Sequence, residues 1–257
     1  MRSFTTALCS GKGVDSQQHK MPLLKTSKQQ QPKLQVTIMY NIHGIQVQNY
    51  AQQSADNMAD VTLMTVLSIR QPWLNIGSQI IDVRTNKASA KSLWGGKKKT
   101  YQYLQANKYM MYGQMMAVIN SSKTDASKSM SLMKIFLRVD GLGVAKAGFM
   151  CQLTAGLVGC MDSHNIKMYN LDAKDFALAK NPKTVKGLEA NNKKIRNYIQ
   201  ICHEYGTENL WNSWCSFLAT KSPKWRDANH VSEVHYTYLI GNKTAARKLN
   251  QIKEVAL

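Results

Sequence analysis

The chain has 257 residues, with 34 Lys+Arg against 15 Asp+Glu, a formal charge of +19 and a pI near 9.8. A hydrophobic content of 44% excludes wholesale disorder. The mean hydropathy of -0.36, with no apolar run near the roughly 18 residues of a spanning helix, excludes a polytopic membrane protein. Self-repulsion makes such a charge costly unless a polyanion offsets it. Nucleic acid is therefore the first partner to consider, and an anionic membrane surface the second.

Residues 1–33 are rich in Ser, Thr, Gln and Lys, with a Gln29–Gln31 run and two prolines, Pro22 and Pro32. They read as a flexible basic tail on a domain spanning 34–257. Ser3, Thr5, Thr6, Ser10 and Lys12 interrupt the apolar stretch around Ala7, so no secretory leader is expected. Cys9, Cys151, Cys160, Cys202 and Cys215 are odd in number and form no C-x-x-C pair, which fits a reduced, cytoplasmic chain. Residues 34–40 suit either a short strand or an apolar segment docking on the body. Residues 51–69 predict a helix, with Met58, Val61, Leu63, Met64, Val66 and Leu67 at three- and four-residue spacings and Pro72 ending it. A short apolar stretch, 76–83, leads to Trp94-Gly95-Gly96 and the Lys97-Lys98-Lys99 loop. Residues 100–119 predict a second helix and 120–129 a polar loop. Helices over 130–139 and 144–157 are joined by Asp140-Gly141-Leu142-Gly143. Two more follow at 186–203 and 209–219, the last with Leu210, Trp211, Trp214, Phe217 and Leu218 on one face. The expected fold class is mainly α, without internal repeats.

The chemistry concentrates in residues 130–169. Gly141 and Gly143 permit a tight connection and the close approach of another backbone. The helix that follows opens with unpaired N–H groups and its positive dipole end outward, an anion site suited to a phosphate. Lys146 on its first turn adds a charge-assisted contact. No carboxylate occurs from Val144 to Met161, and then Asp162-Ser163-His164-Asn165 appears.

This combination resembles the helix-hairpin-helix DNA glycosylase superfamily, the group that includes endonuclease III and the adenine and alkylation-repair glycosylases. Val139-Asp140-Gly141-Leu142-Gly143-Val144-Ala145-Lys146-Ala147 stands where that family has its L-P-G-V-G-type hairpin. Met161-Asp162-Ser163-His164 stands where it has V-D-T-H or a variant, at nearly the same spacing. The resemblance implies a helix-hairpin-helix glycosylase-like fold whose Gly141 and Gly143 amides grip a phosphate of double-stranded DNA. It also implies that Asp162 is the essential carboxylate, stabilising an oxocarbenium-like sugar or activating the nucleophile. Ser163 and His164 would support it, His164 as a hydrogen-bonded structural histidine. Read from the residues alone, Asp162 also suits the N-cap of the next helix, a role that can coexist with the catalytic one.

The departures sharpen the expectation. Strand-cleaving members carry a nucleophilic lysine two residues after the second glycine, where this chain has Ala145. Lys146 is about 100° further round the helix and is expected to point elsewhere, leaving a monofunctional glycosylase that uses water. The hairpin proline is replaced by Asp140. Cys202 and Cys215 are too few and too far apart for the family's iron–sulfur cluster, so no cofactor is expected. With the Gln/Lys-rich tail, these features point to a divergent branch, such as phage-encoded relatives associated with modified thymine or cytosine.

Elsewhere, Lys97, Lys98 and Lys99 look like a phosphate-contacting loop, without the G-x-x-x-x-G-K-[ST] pattern of an NTPase. Lys183, Lys186, Lys193, Lys194 and Arg196 form a second basic cluster that suits a DNA backbone or a solvated face. Trp73, Tyr101, Tyr103 and Trp225 are candidates to stack on an extruded base. His203, His230 and His235 lack metal-ligand spacing, and no metal is expected. The expected protein is a monomeric, membrane-independent DNA glycosylase. The alternatives are a non-catalytic helix-hairpin-helix DNA-binding protein and a glycosylase-related enzyme of phage base hypermodification.

Overall fold

Charge patterns do not build a core; two almost wholly apolar helices do. The computed structural model describes residues 39–221 except 70, 72–74 and 181, together with 223, 224, 226, 227, 230 and 231. The basic tail 1–33, Cys9, Trp73, Trp225 and His235 lie outside the described residues. The described residues belong to one unit, Val36–Leu257. They are mainly helical and contain no strand. None of their helices is long and apolar enough to cross a membrane.

Helix α2 (Ala55–Leu67) buries residues on nearly every side, from Met58 and Val61 to Val66 and Leu67. Such a helix must be surrounded. It packs against α1 (Met39–Gln53), α3 (Ile76–Asn86), α4 (Gly96–Ile119) and α6 (Val144–Ala155). Helix α6 is the second central element, with Val144, Ala147, Gly148, Phe149, Met150 and Cys151 among its buried residues. Helix α5 (Asp125–Phe136) bridges α4, α6 and α8 (Val185–Tyr205), while the short α7 (Ser163–Met168) and α8 both rest on α9 (Thr207–Lys221).

Several boundaries differ from expectation for local reasons. The helix expected over 51–69 is the end of α1 and the whole of α2, divided at Ser54. Its hydroxyl accepts from the Asn57 amide at 3.1 Å, an N-cap that ends one helix and starts the next. Helix α1 reaches back to Met39, so the C-terminal part of the segment read as a possible strand is helical. Residues 97–99 are not a loop but the first turn of α4, which starts at Gly96 after Gly95 takes a left-handed φ of 57°. Thr124 caps α5, drawing half of the expected polar loop into that helix.

Candidate active site

Two consecutive peptide groups lead into Asp162, and side chains from three helices hold them. Tyr198 of α8 accepts from the Met161 amide at 2.8 Å and donates to the Gly159 carbonyl at 2.9 Å. Gln152 of α6 accepts from the Cys160 amide at 3.0 Å, and Asn165 of α7 donates to the Cys160 carbonyl at 2.6 Å. The segment lies so close to α6 that position 148 must be glycine. A Cβ there would sit 2.5 Å from the Tyr198 hydroxyl and 2.7 Å from the Gly159 carbonyl. A Cβ at Gly159 would meet Leu210 of α9 at 2.3 Å.

So held, Asp162 stands at the head of α7. Its Oδ1 accepts from the amides of His164 (2.9 Å) and Asn165 (3.1 Å), and no described residue engages Oδ2. The half-buried carboxylate borders a cleft of about 250 Å³. Pockets for drug-sized ligands start at about 300 Å³, so this one suits a single planar ring system. Ser68, Gln71, Lys146, Phe149, Trp211 and Trp214 share its lining with Asp162 and His164. Phe149, Trp211 and Trp214 form a cluster of tilted rings, with centroids 5.7 to 6.1 Å apart. His164 lies against Phe217 with ring centroids 4.3 Å apart. Ser163 is exposed.

The glycine turn sits one helical turn away. Gly141 adopts a φ of 85°, a left-handed conformation that disfavours a side chain, and Leu142 anchors the turn in the core. Gly143 is the N-cap of α6 and supplies no side-chain cap, so the first amides of α6 remain open beside two exposed glycines. Lys146 lies three residues on, about 4.5 Å along the axis. Thr100, on the first turn of α4, donates to the Asp140 carbonyl at 2.7 Å. This bond joins the turn to a second helix start with no side-chain cap, at Gly95. Lys98 and Lys99 are exposed there.

Two lysines depart from expectation. Lys146 does not turn away from the aspartate: it lines the same cleft, its Nζ donating to Ser68 Oγ at 2.9 Å and lying 5.4 Å from the centroid of Phe149. Helix α6 commits Val144 and Ala147 to the core, which leaves Lys146, Phe149 and Gln152 as the row on the cleft. Lys97 is not a surface contact. It is 7% exposed, and its Nζ donates to the Leu67 carbonyl at the end of α2, 3.0 Å away, and lies over Trp94. Burial, and then the charge of Lys146, lower its pKa.

Other expectations fall away on contacts. Tyr101 and Tyr103 pack against the core away from the cleft and are not part of its lining. In the basic cluster, Lys183, Lys186, Lys193 and Arg196 are exposed, but Lys194 donates to the carbonyls of Lys174 and Ala177. His203 bonds the Leu157 carbonyl at 2.9 Å. Cys151, Cys160, Cys202 and Cys215 are buried and free. Burial, then the charge of Asp162, push the Cys160 thiol far up, so this cleft cysteine is no nucleophile at neutral pH. Sequence reasoning missed Ser68, Gln71, Phe149, Gln152 and Tyr198. The available signal was the amide side chain of Gln152 inside the largely apolar run of α6.

Comparison with protein-family models, curated proteins and solved structures gave no match.

Proposed function

We propose that the chain is a DNA-binding base-excision enzyme of the helix-hairpin-helix glycosylase type. It takes a modified base out of the duplex and cleaves its N-glycosidic bond with water, the Lys146 amine in the same cleft being engaged on Ser68 Oγ. One observation carries the reading: a carboxylate with one oxygen that no described residue engages borders a ring-sized aromatic cleft, one helical turn from an open glycine turn. The open amides of α6 and the exposed Lys98 and Lys99 suit DNA phosphates. Half-buried Trp214, on the cleft, suits the face of an extruded base. As the base departs, positive charge develops on the sugar. Asp162, already oriented by two amides, stabilises that charge without having to reorganise.

The test incubates the protein with duplexes carrying single modified bases and looks for freed base by mass spectrometry. Wild-type protein should release base from at least one duplex, and Asp162→Asn should bind that duplex and release none. Base release by Asp162→Asn at the wild-type rate overturns the assignment. If the base stays attached but changes mass, the same cleft serves a glycosylase-related enzyme of phage DNA hypermodification.

A second reading has its own support. Oδ1 of Asp162 accepts two amides at the start of α7, a complete N-cap. If that is its only task, the protein is a non-catalytic helix-hairpin-helix DNA-binding module, and Asp162→Asn, which also caps well, leaves every activity intact.

A further inference from the structure

The cleft contains a cation that excision of a neutral base does not require. Among the described residues, Lys146 makes its one side-chain hydrogen bond to Ser68 Oγ, a neutral acceptor whose own proton goes to the Thr65 carbonyl at 2.7 Å. Between described residues the ion pairs are Arg84 with Asp60 and Lys108 with Asp56, so neither Lys146 nor Lys97 is paired there. Asp162, which shares the cleft, directs Oδ1 to two backbone amides rather than to the lysine. Lys97 lies buried behind, its Nζ on a carbonyl and close enough to Lys146 for the two charges to repel.

A flat neutral base seated here would strip water from Lys146 and return no negative charge. Asp162, the carboxylate of the lining, forms no ion pair with the lysine, so the ammonium would be buried without a bonded counter-charge, which is costly. An anionic group on the base reverses that cost. The backbone phosphates have receptors elsewhere, in the exposed glycine turn and at Lys98 and Lys99. Lys146 instead shares its lining with Trp211 and Trp214.

Resting on the functional reading above, we propose that the base taken into this cleft carries an anionic substituent, a carboxylate or a phosphoryl group, and that Lys146 binds it. Ser68 and Gln71, on the same wall, offer neutral hydrogen-bonding groups to the remaining oxygens. Lys146 is then the specificity determinant of the site and Asp162 its catalytic residue.

The test uses full-length Asp162→Asn protein, so that binding is read without turnover. Three matched duplexes carry one 5-carboxyuracil, one 5-hydroxymethyluracil or one thymine, and affinity is measured by fluorescence anisotropy. The carboxylated duplex should bind about tenfold tighter than the thymine duplex, as a charge-assisted contact implies. Adding Lys146→Met should abolish the preference while leaving the thymine duplex within about twofold; Lys146→Arg should keep it. Equal binding of carboxylated and thymine duplexes overturns the proposal. So does a uniform loss across all three duplexes in Lys146→Met, which would make the lysine a backbone-phosphate contact. Borohydride trapping of wild-type protein on DNA through Lys146 also overturns it, because that would make the lysine a nucleophile. Failure to bind any duplex removes the functional reading as well. Release of neutral bases without anionic preference removes this inference alone.

Discussion

The cleft has two unlike walls. One, built from α6, the end of α2 and the turn before α7, presents Lys146, Ser68 and Asp162, with Gln152, Tyr198 and Asn165 holding the backbone of that turn. The other, from α9, presents Leu210, Trp211, Trp214 and Leu218. The first wall offers charge at fixed positions; the second offers area and stacking faces. Chemistry that separates charge needs its groups pre-oriented, whereas an aromatic surface tolerates small displacements. The backbone hydrogen bonds are concentrated accordingly under Asp162.

The largest expected effect breaks the charged wall. Asp162→Asn keeps the cap and should lower base release by about 10²–10³-fold, with duplex affinity nearly unchanged, as single-turnover assays and anisotropy would show. Next comes the support of that wall. Gly148→Ala drives a Cβ into Tyr198 and the Gly159 carbonyl, and should destabilise the fold by about 3 kcal/mol in urea unfolding. Trp214→Ala acts on the other wall and should weaken binding to a duplex with an extrudable base by about 2 kcal/mol, because the base no longer has a ring to stack on. Stability should change less than for Gly148→Ala, because Trp214 is only half-buried. The smallest effect lies outside both walls. Replacing Lys98 and Lys99 by Ala should reduce the slope of log affinity against log salt by about 0.9 for each DNA phosphate that is no longer neutralised, leaving base release intact. Equal sensitivity of catalysis to Trp214→Ala and Asp162→Asn would erase the distinction between the walls.

Each wall was legible in part: the sequence singled out Asp162 but not Ser68 on the charged wall, and the face of α9 but not what it opposes on the aromatic one. Asp162 lies about twenty positions beyond Gly141 and Gly143, and it is the resemblance to the glycosylase hairpin and catalytic turn that relates them. The direction of Lys146 was misread because counting degrees from a glycine assumes a helix phase that only packing sets; burial of Val144 and Ala147 sets it here. Lys97 belongs to a lysine triplet that reads as solvated, yet the end of α2 captures its amine across 30 positions. Trp211 and Trp214 were recognisable as one face of a helix. Nothing local says that the face opposes Phe149, which lies more than 60 positions earlier. Gln152 and Tyr198 act on backbone, and an isolated polar side chain in a helix carries no mark of its partner. The mainly helical fold was readable from periodicity, while its boundaries followed caps such as Ser54 and Thr124.

The bond from Thr100 to the Asp140 carbonyl has a dynamic consequence. It clamps the first turn of α4 to the glycine turn, two segments separated by forty positions, so neither can fray alone. The amides of Lys97 and Leu142, bonded to Trp94 and Val139 within their own turns, should then exchange with solvent deuterium through one shared opening event. Thr100→Val preserves the shape of the side chain and removes the clamp. It should split that event into two, each with its own rate, and turn a single rigid jaw into two loose ones.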